Sequence, residues 1–221
     1  MRKYGPVPKR PSLSAQRIIE AAAAVADDGG LVTVSMRSVA KRLGVEAMSL
    51  YYHVVDKESL LDSLADWIVE HIELPEVTDP WRPAMAVRAH SAHDVLSAHP
   101  WAITLIESRP VPGTPLLRHH DRIVGCLLES GFSAALATHA FSAIDAYVYG
   151  FTLSEANLPF TPGDGAEEAF ASDVAPPASE FPYLARSLGE LMESGSYSYA
   201  AEFDYGLELI LDGFESRLAG T

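Results

Sequence analysis

Residues 35–57, SMRSVAKRLGVEAMSLYYHVVDK, concentrate side chains suited to gripping a polyanion. Arg37 and Lys57 carry full positive charge, Ser35 can donate a hydroxyl hydrogen, and Tyr51, Tyr52 and His53 present hydroxyl or ring donors. Among them stand Ala47, Met48 and Ser49, side chains of the size and polarity that touch base edges and thymine methyl groups. This is chemistry for reading duplex DNA. Phosphate contacts set the register and carry no sequence information, so specificity would rest on the few side chains that reach bases, Arg37 included. Tyr52 and His53 could alternatively pack between helices.

Other chemistries find weaker support. His90 and His93 share a helix face with Asp94, and His119 and His120 are adjacent, but histidines so spaced are more often surface or satisfied core residues than metal ligands. Glu-x-x-His is missing, which argues against a di-iron helical bundle. Gly-x-Ser-x-Gly, a phosphate-binding glycine loop and a dinucleotide fingerprint are missing too. Neither catalytic residues, nor a metal, nor a cofactor is expected.

The DNA-reading side chains need two short helices joined by a tight turn. Ser35 is an N-cap type. Met36, Val39, Ala40 and Leu43 fall at i, i+3, i+4 and i+7, one apolar helix face. Ala40 is small where a second helix must cross, and Gly44 follows Leu43 where a positive φ ends a helix at little cost. Val45 and Leu50 then form the apolar side of the second helix, leaving 47–49 and 51–53 outward. Ahead of this unit, Ser14 caps a helix ending near residue 27, with Ile18, Ile19, Ala22, Val25 and Ala26 inward. Behind it, Asp56 caps a long helix to about residue 74. Further helices are expected over 80–98, 101–107, 115–130, 133–158, 182–192 and 199–218, and no strand-period run competes. The fold class is therefore all-α. Residues 159–180, rich in Pro, Gly, Ala and acids, read as a long mobile loop. Residues 1–12 are basic and Pro-rich, either an arm lying along DNA or a disordered tail.

Charge divides the chain. Residues 1–57 hold nine Lys/Arg against five Asp/Glu, net +4, whereas the remaining 164 hold seven against twenty-five, within a chain total of −14. Phosphate attraction acts over a Debye length of roughly 8 Å, so the local excess outweighs the acidic total. At 221 residues and 48% apolar content the chain can bury a sizeable core. Its single cysteine, Cys126, forms no internal disulfide and fits a reducing cytoplasm. Neither a signal peptide nor a membrane span is expected.

RIIEAAAAVADDGG before the turn and LGVEAMSLYYHVVDKESLLDSLADWI after it together resemble the N-terminal domain of the TetR family of transcriptional regulators. HPWAITLIESRP and ESGFS, followed by a long helical pattern, are similar to the ligand-binding half of the branch that includes the tetracycline repressor. The resemblance implies a three-helix helix-turn-helix domain over residues 1–57 and a larger helical ligand-binding and dimerisation domain over 58–221. It implies a homodimer on a palindromic operator, repression as the common mode, and a four-helix bundle between subunits. Two apolar stripes suit that bundle: Leu136, Ala140, Ile144, Tyr147, Val148 and Phe151 on one helix, and Phe203, Leu207, Ile210, Leu211, Phe214 and Leu218 on another. Packing into their own core is the alternative. The metal-ligand histidine of the tetracycline repressor is replaced by Leu105 ahead of Arg109 and Pro110, which argues against a magnesium–tetracycline ligand. A small, largely apolar effector is expected instead, with candidates Trp67, His71, Trp81, Met85, His93, Trp101, Leu105, Tyr147 and Phe151, which combine apolar bulk with polar handles. A DNA-binding protein without small-molecule control, or an all-helical enzyme or carrier, would be the other readings.

Overall fold

The computed structural model describes residues 12–163, 165–194 and 197–220, and these form eleven α-helices and one 3-10 turn with no strand among them. The expected basic arm, Ser12 excepted, lies outside the described residues. By contacts the chain divides into two compact units, one running to Ile72 and taking in Ala98–His119, the other comprising Glu73–Ser97 and the chain from His120 onward.

The first unit opens with α1 (Ala15–Gly29), where Ser14 Oγ accepts from Arg17 N at 3.3 Å. Ile18, Ala22 and Ala26 are buried on one face, and Gly30 with φ +76° breaks the helix. A 3-10 turn (Leu31–Thr33) leads to α2 (Met36–Leu43). Ser35 Oγ accepts from Ser38 N at 3.1 Å while Ser38 Oγ accepts from Ser35 N at 2.9 Å, a reciprocal cap that satisfies two donors left over at the helix start. Gly44 takes φ +68°, the left-handed turn a side chain would oppose. Then come α3 (Ala47–Leu50) and α4 (Lys57–Glu70), the latter capped by Asp56 Oδ1 accepting from Ser59 N at 2.8 Å. Leu60, Leu64 and Ile68 on α4 are fully buried, each contributing about 1.5–3 kcal/mol by leaving water. α4 packs on α1 and on α6 (Ala102–Glu107), which belongs to the same unit.

Expectation and structure part at the end of α4. The helix stops at Glu70 rather than near residue 74, because the His71 ring Nδ1 takes the Trp67 carbonyl at 2.6 Å while the His71 N–H turns to Ile68. Pro75 also disfavours helical backbone at Leu74.

The second unit contains α5 (Trp81–Ala98), the later part of α7 (Thr114–Glu129), α8 (Ala134–Ala156), α9 (Ala166–Val174), α10 (Pro182–Ser194) and α11 (Tyr199–Ala219). Met85, Leu96, Ile123, Leu127, Ile144, Leu207 and Leu211 are among its fully buried large side chains. Arg82 on α5 reaches Glu208 at 2.5 Å, Asp212 at 2.6 Å and Glu215 at 3.0 Å, an ionic seam along one face of α11. α9 corrects the expected loop. Its Ala-rich sequence becomes helical by packing on α10, support that local composition does not display.

Candidate nucleic-acid interface and effector-facing residues

The head of the first unit hangs on a few apolar anchors. Leu50 is fully buried and Val54 nearly so, and the Val54 N–H bonds the Leu50 carbonyl at 2.9 Å, which turns the chain back after a single helical turn. With these two inward, the intervening and preceding side chains face out. Tyr52 is 89% and Met48 72% exposed, Tyr51 and His53 are exposed, and Ala47 and Ser49 are half-buried. Tyr52 and His53 thus stand free of helix packing. Arg37 and Lys57 are exposed at the starts of α2 and α4, and neither has an ion-pair partner among the described residues. Arg42, by contrast, is occupied by Asp28. The Ser35 hydroxyl serves the α2 cap, its oxygen accepting from Ser38 N at 3.1 Å and lying 3.0 Å from the Ser38 hydroxyl. Asp56, beside Lys57, has its carboxyl held below the usual range by the Ser59 backbone N–H and then the Ser59 hydroxyl, and remains an ionised cap. Among the described residues of this unit, an exposed rim of two unpaired cations, hydroxyls and rings surrounds a short helix able to enter a groove.

The nine effector candidates fall into two sets. Trp67, His71, Trp101 and Leu105 belong to the first unit. Trp67 lies 4.2 Å from the His71 ring and 5.4 Å from that of His99, centroid to centroid. Asp27 Oδ1 binds Trp101 Nε1 at 2.7 Å and His99 Nδ1 at 2.8 Å, tying the chain around α6 to the end of α1. Leu105 is buried in α6. Also in this unit is a cavity of about 210 Å³ whose lining includes Asp66, Val69, Ile106, Arg109 and Gly113. Gly113 sits so close to the Asp66 carboxylate that a Cβ there would come within 2.0 Å of Oδ1. Burial, followed by the charges of Glu70 and Asp62, raises the Asp66 pKa. Arg109 answers the same acidic face, reaching Glu58 at 3.1 Å and Asp62 at 3.2 Å.

Trp81, Met85, His93, Tyr147 and Phe151 belong to the second unit. Met85 is fully buried, and Trp81, one turn before it on α5, packs edge-on to Phe132 at 5.0 Å. His93, Tyr147 and Phe151 are brought together around Phe203: His93 stacks on it at 4.4 Å, Phe151 meets it at 5.2 Å and Tyr147 at 5.6 Å. His93 Nε2 also bonds Glu155 at 2.8 Å. Burial first, then the carboxylates of Glu202 and Asp204, raises the Tyr147 pKa, so its hydroxyl stays protonated as a donor.

Phe203 is not among the nine candidates, because the apolar stripe it heads suits a subunit contact or its own core and neither points to an effector. Nor does the sequence single out Arg88, buried on α5 and paired with Asp145 on α8 at 2.6 Å. The signal for the acidic face of α4 was present, Glu58, Asp62, Asp66 and Glu70 recurring every four residues, whereas its partner Arg109 stands some fifty positions away.

Each stripe has two destinations. Phe203, Leu207 and Leu211 on α11 and Ala140, Ile144 and Val148 on α8 are buried within the unit. Leu136, Ile210 and Phe214 instead line, together with Ala143 beside the stripe, an open apolar groove of about 620 Å³ along the same two helices.

Two family models match this chain: the one described as bacterial regulatory proteins, tetR family, over residues 18–64, and the one described as Tetracyclin repressor-like, C-terminal domain, over residues 74–218. The chain is 30% identical to an HTH-type transcriptional regulator of Saccharopolyspora erythraea, over 92% of this chain and 85% of that protein. It is also 30% identical to the class A tetracycline repressor from transposon 1721 of Escherichia coli, over 93% of this chain and 92% of that one. Among solved structures it is similar to ActR, a TetR family protein of Streptomyces coelicolor, in complex with actinorhodin, with a TM-score of 0.72 and 25% identity over 94% of this chain and 99% of that chain.

Proposed function

Since this chain belongs to the TetR family of transcriptional regulators, we propose that it acts as a homodimeric repressor in the cytoplasm, binding a palindromic operator and releasing it when a small, largely apolar effector binds. The observation that carries the reading is the exposed surface of the helix-turn-helix, with Arg37, Met48, Tyr52, His53 and Lys57 outward and Leu50 and Val54 holding the scaffold. Two-fold symmetry of a dimer matches two half-sites about one helical turn apart. The open groove between α8 and α11 supports the dimer, since an apolar surface of that kind gains by pairing with its own copy.

The effector reading draws on two observations. The aromatic cluster around Phe203 offers flat apolar surfaces with His93 and Glu155 as polar handles, and the structural relative was solved with actinorhodin bound. Release would run through α4, which begins at Lys57, carries Trp67 and is ended by His71. At 1.5 Å per residue, Lys57 and Trp67 stand about 15 Å apart along the helix, so a small tilt at one end displaces the other. An effector drives release only by its differential affinity for the two states.

The test is binding to the chain's own upstream DNA across a salt series. The logarithm of the binding constant should fall with log salt by about 0.9 for each phosphate neutralised. A specific complex missing at every salt concentration would sink the reading.

A further inference from the structure

Within the second unit, the chain just after α8, α9, α10 and the start of α11 line a partly open cavity of about 260 Å³ that none of the nine effector candidates lines. Four aromatic rings border it: Phe160, Phe170, Tyr197 and Tyr199, with Phe160 and Phe170 at 5.0 Å from each other. Leu188 and Met192 of α10 complete an apolar wall. Its single acid is Glu167, only 6% exposed, and no Lys or Arg lines it among the described residues.

The state of Glu167 sets the chemistry. Its carboxylate accepts from Gly163 N at 3.1 and 3.2 Å and from Tyr199 N at 3.3 Å. These donors are neutral, and no ion pair balances the charge among the described residues. The backbone donors offset the cost of burying the anion but leave its charge unneutralised, so a ligand that carries positive charge finds a ready counter-ion there. Aromatic faces present negative potential to a cation within about 6 Å of the ring centre, and desolvation strengthens the attraction. We propose that this cavity binds a small lipophilic organic cation, a quaternary or tertiary ammonium group with apolar substituents, with Glu167 as its counter-ion and the aromatic rings as its cage. Hydrogen bonds from the backbone N–H groups of Glu167 itself, Gly163 and Tyr199 hold the Glu167 carboxyl below the usual range against the effect of burial, so the anion persists well into mild acid. The twenty-five acids beyond residue 57 add a general attraction for cations.

The probe is phenyltrimethylammonium, set against tert-butylbenzene, which has the same shape without the charge. Titration of the full chain without DNA, followed by calorimetry or ligand-observed NMR, keeps the outcome independent of whether the chain represses transcription. The cation should bind at least tenfold more tightly than its neutral counterpart, and Glu167→Gln should erase that preference while leaving the weak neutral binding in place. Because Glu167 also holds the backbone at Gly163 and Tyr199, Phe170→Leu provides a second arm. It removes one ring from a partly exposed position and should weaken the cation several-fold in a protein with unchanged circular dichroism. Equal affinity for the two probes in the wild type, or undiminished cation affinity in folded Glu167→Gln and Phe170→Leu alike, overturns the proposal.

Discussion

Gly206 and Tyr147 are made for each other: the Tyr147 hydroxyl donates to the carbonyls of Glu202 and Phe203 at 2.9 and 3.0 Å, and a Cβ on Gly206 would lie 2.3 Å from that oxygen. The missing side chain lets the phenol lie against the α11 backbone. Gly206→Ala gains about 1 kcal/mol of helix propensity but forces the ring off its carbonyls. Overpacking of this kind costs about 1–3 kcal/mol, so the net change should be a modest loss. Urea unfolding of Gly206→Ala, Tyr147→Phe and the double variant checks it. The alanine should cost less in the Tyr147→Phe background, where the nearest clashing atom is gone.

Arg37 and Lys57 should separate when binding is compared on operator and unrelated DNA. Lys57→Ala is expected to weaken both about equally and to reduce the salt slope by roughly one, the signature of a lost phosphate contact. Arg37→Ala should additionally narrow the gap between operator and unrelated DNA if its guanidinium reaches a base, a bidentate contact worth about 1–3 kcal/mol. An unchanged Lys57→Ala affinity would remove that side chain from the interface.

The groove along α8 and α11 gives an assembly prediction. Phe214→Glu places a carboxylate in an apolar surface that a second copy would cover. An uncompensated buried charge costs about 3–5 kcal/mol, a hundredfold or more in the dimer constant. Sedimentation should show monomer at concentrations where the wild type is dimeric, with the helical signal retained and half-site cooperativity lost.

His90 supplies a pH dependence. Its Nδ1 bonds the Ala86 carbonyl at 2.8 Å and its Nε2 bonds Asp204 at 2.6 Å, an arrangement that needs both ring nitrogens protonated. Burial opposes the charge, but the Ala86 carbonyl and Asp204 outweigh it and raise the pKa. The pair therefore stabilises fully below the unfolded histidine value of about 6.5, and the contribution disappears as pH climbs through the raised folded value. Half the ring is exposed, so less than about 1 kcal/mol is at stake. Unfolding midpoints on either side of that window should differ more in the wild type than in Asp204→Asn, and an NMR titration of His90 should report the shift directly.

Local signals were readable in advance and distant ones were not. Ser14, Ser35, Asp56 and Gly44 act on backbone groups within three or four residues, and all four end or start a helix where their chemistry requires. α9 is helical where composition suggests a loop, because Phe160 packs on Phe170 and Glu167 holds Tyr199, thirty-two positions on. Residue type marks the effector candidates, and type does not reveal that Trp101 spends its N–H on Asp27 or that His93 and Phe151 converge on Phe203. Periodicity exposed the apolar stripes of α8 and α11, but a period of 3.6 cannot tell an inward face from one awaiting a second copy.

Leu50 and Val54 are the buried anchors of the short α3 turn, whereas Met48, Tyr52 and His53 are exposed. Selection can therefore exchange the outward side chains at little cost in folding stability, since exposed substitutions usually change it by less than about 0.5 kcal/mol. The scaffold is free to be inherited unchanged while its target drifts. If those side chains read bases, a changed binding site could be followed one substitution at a time, without passing through an unfolded ancestor.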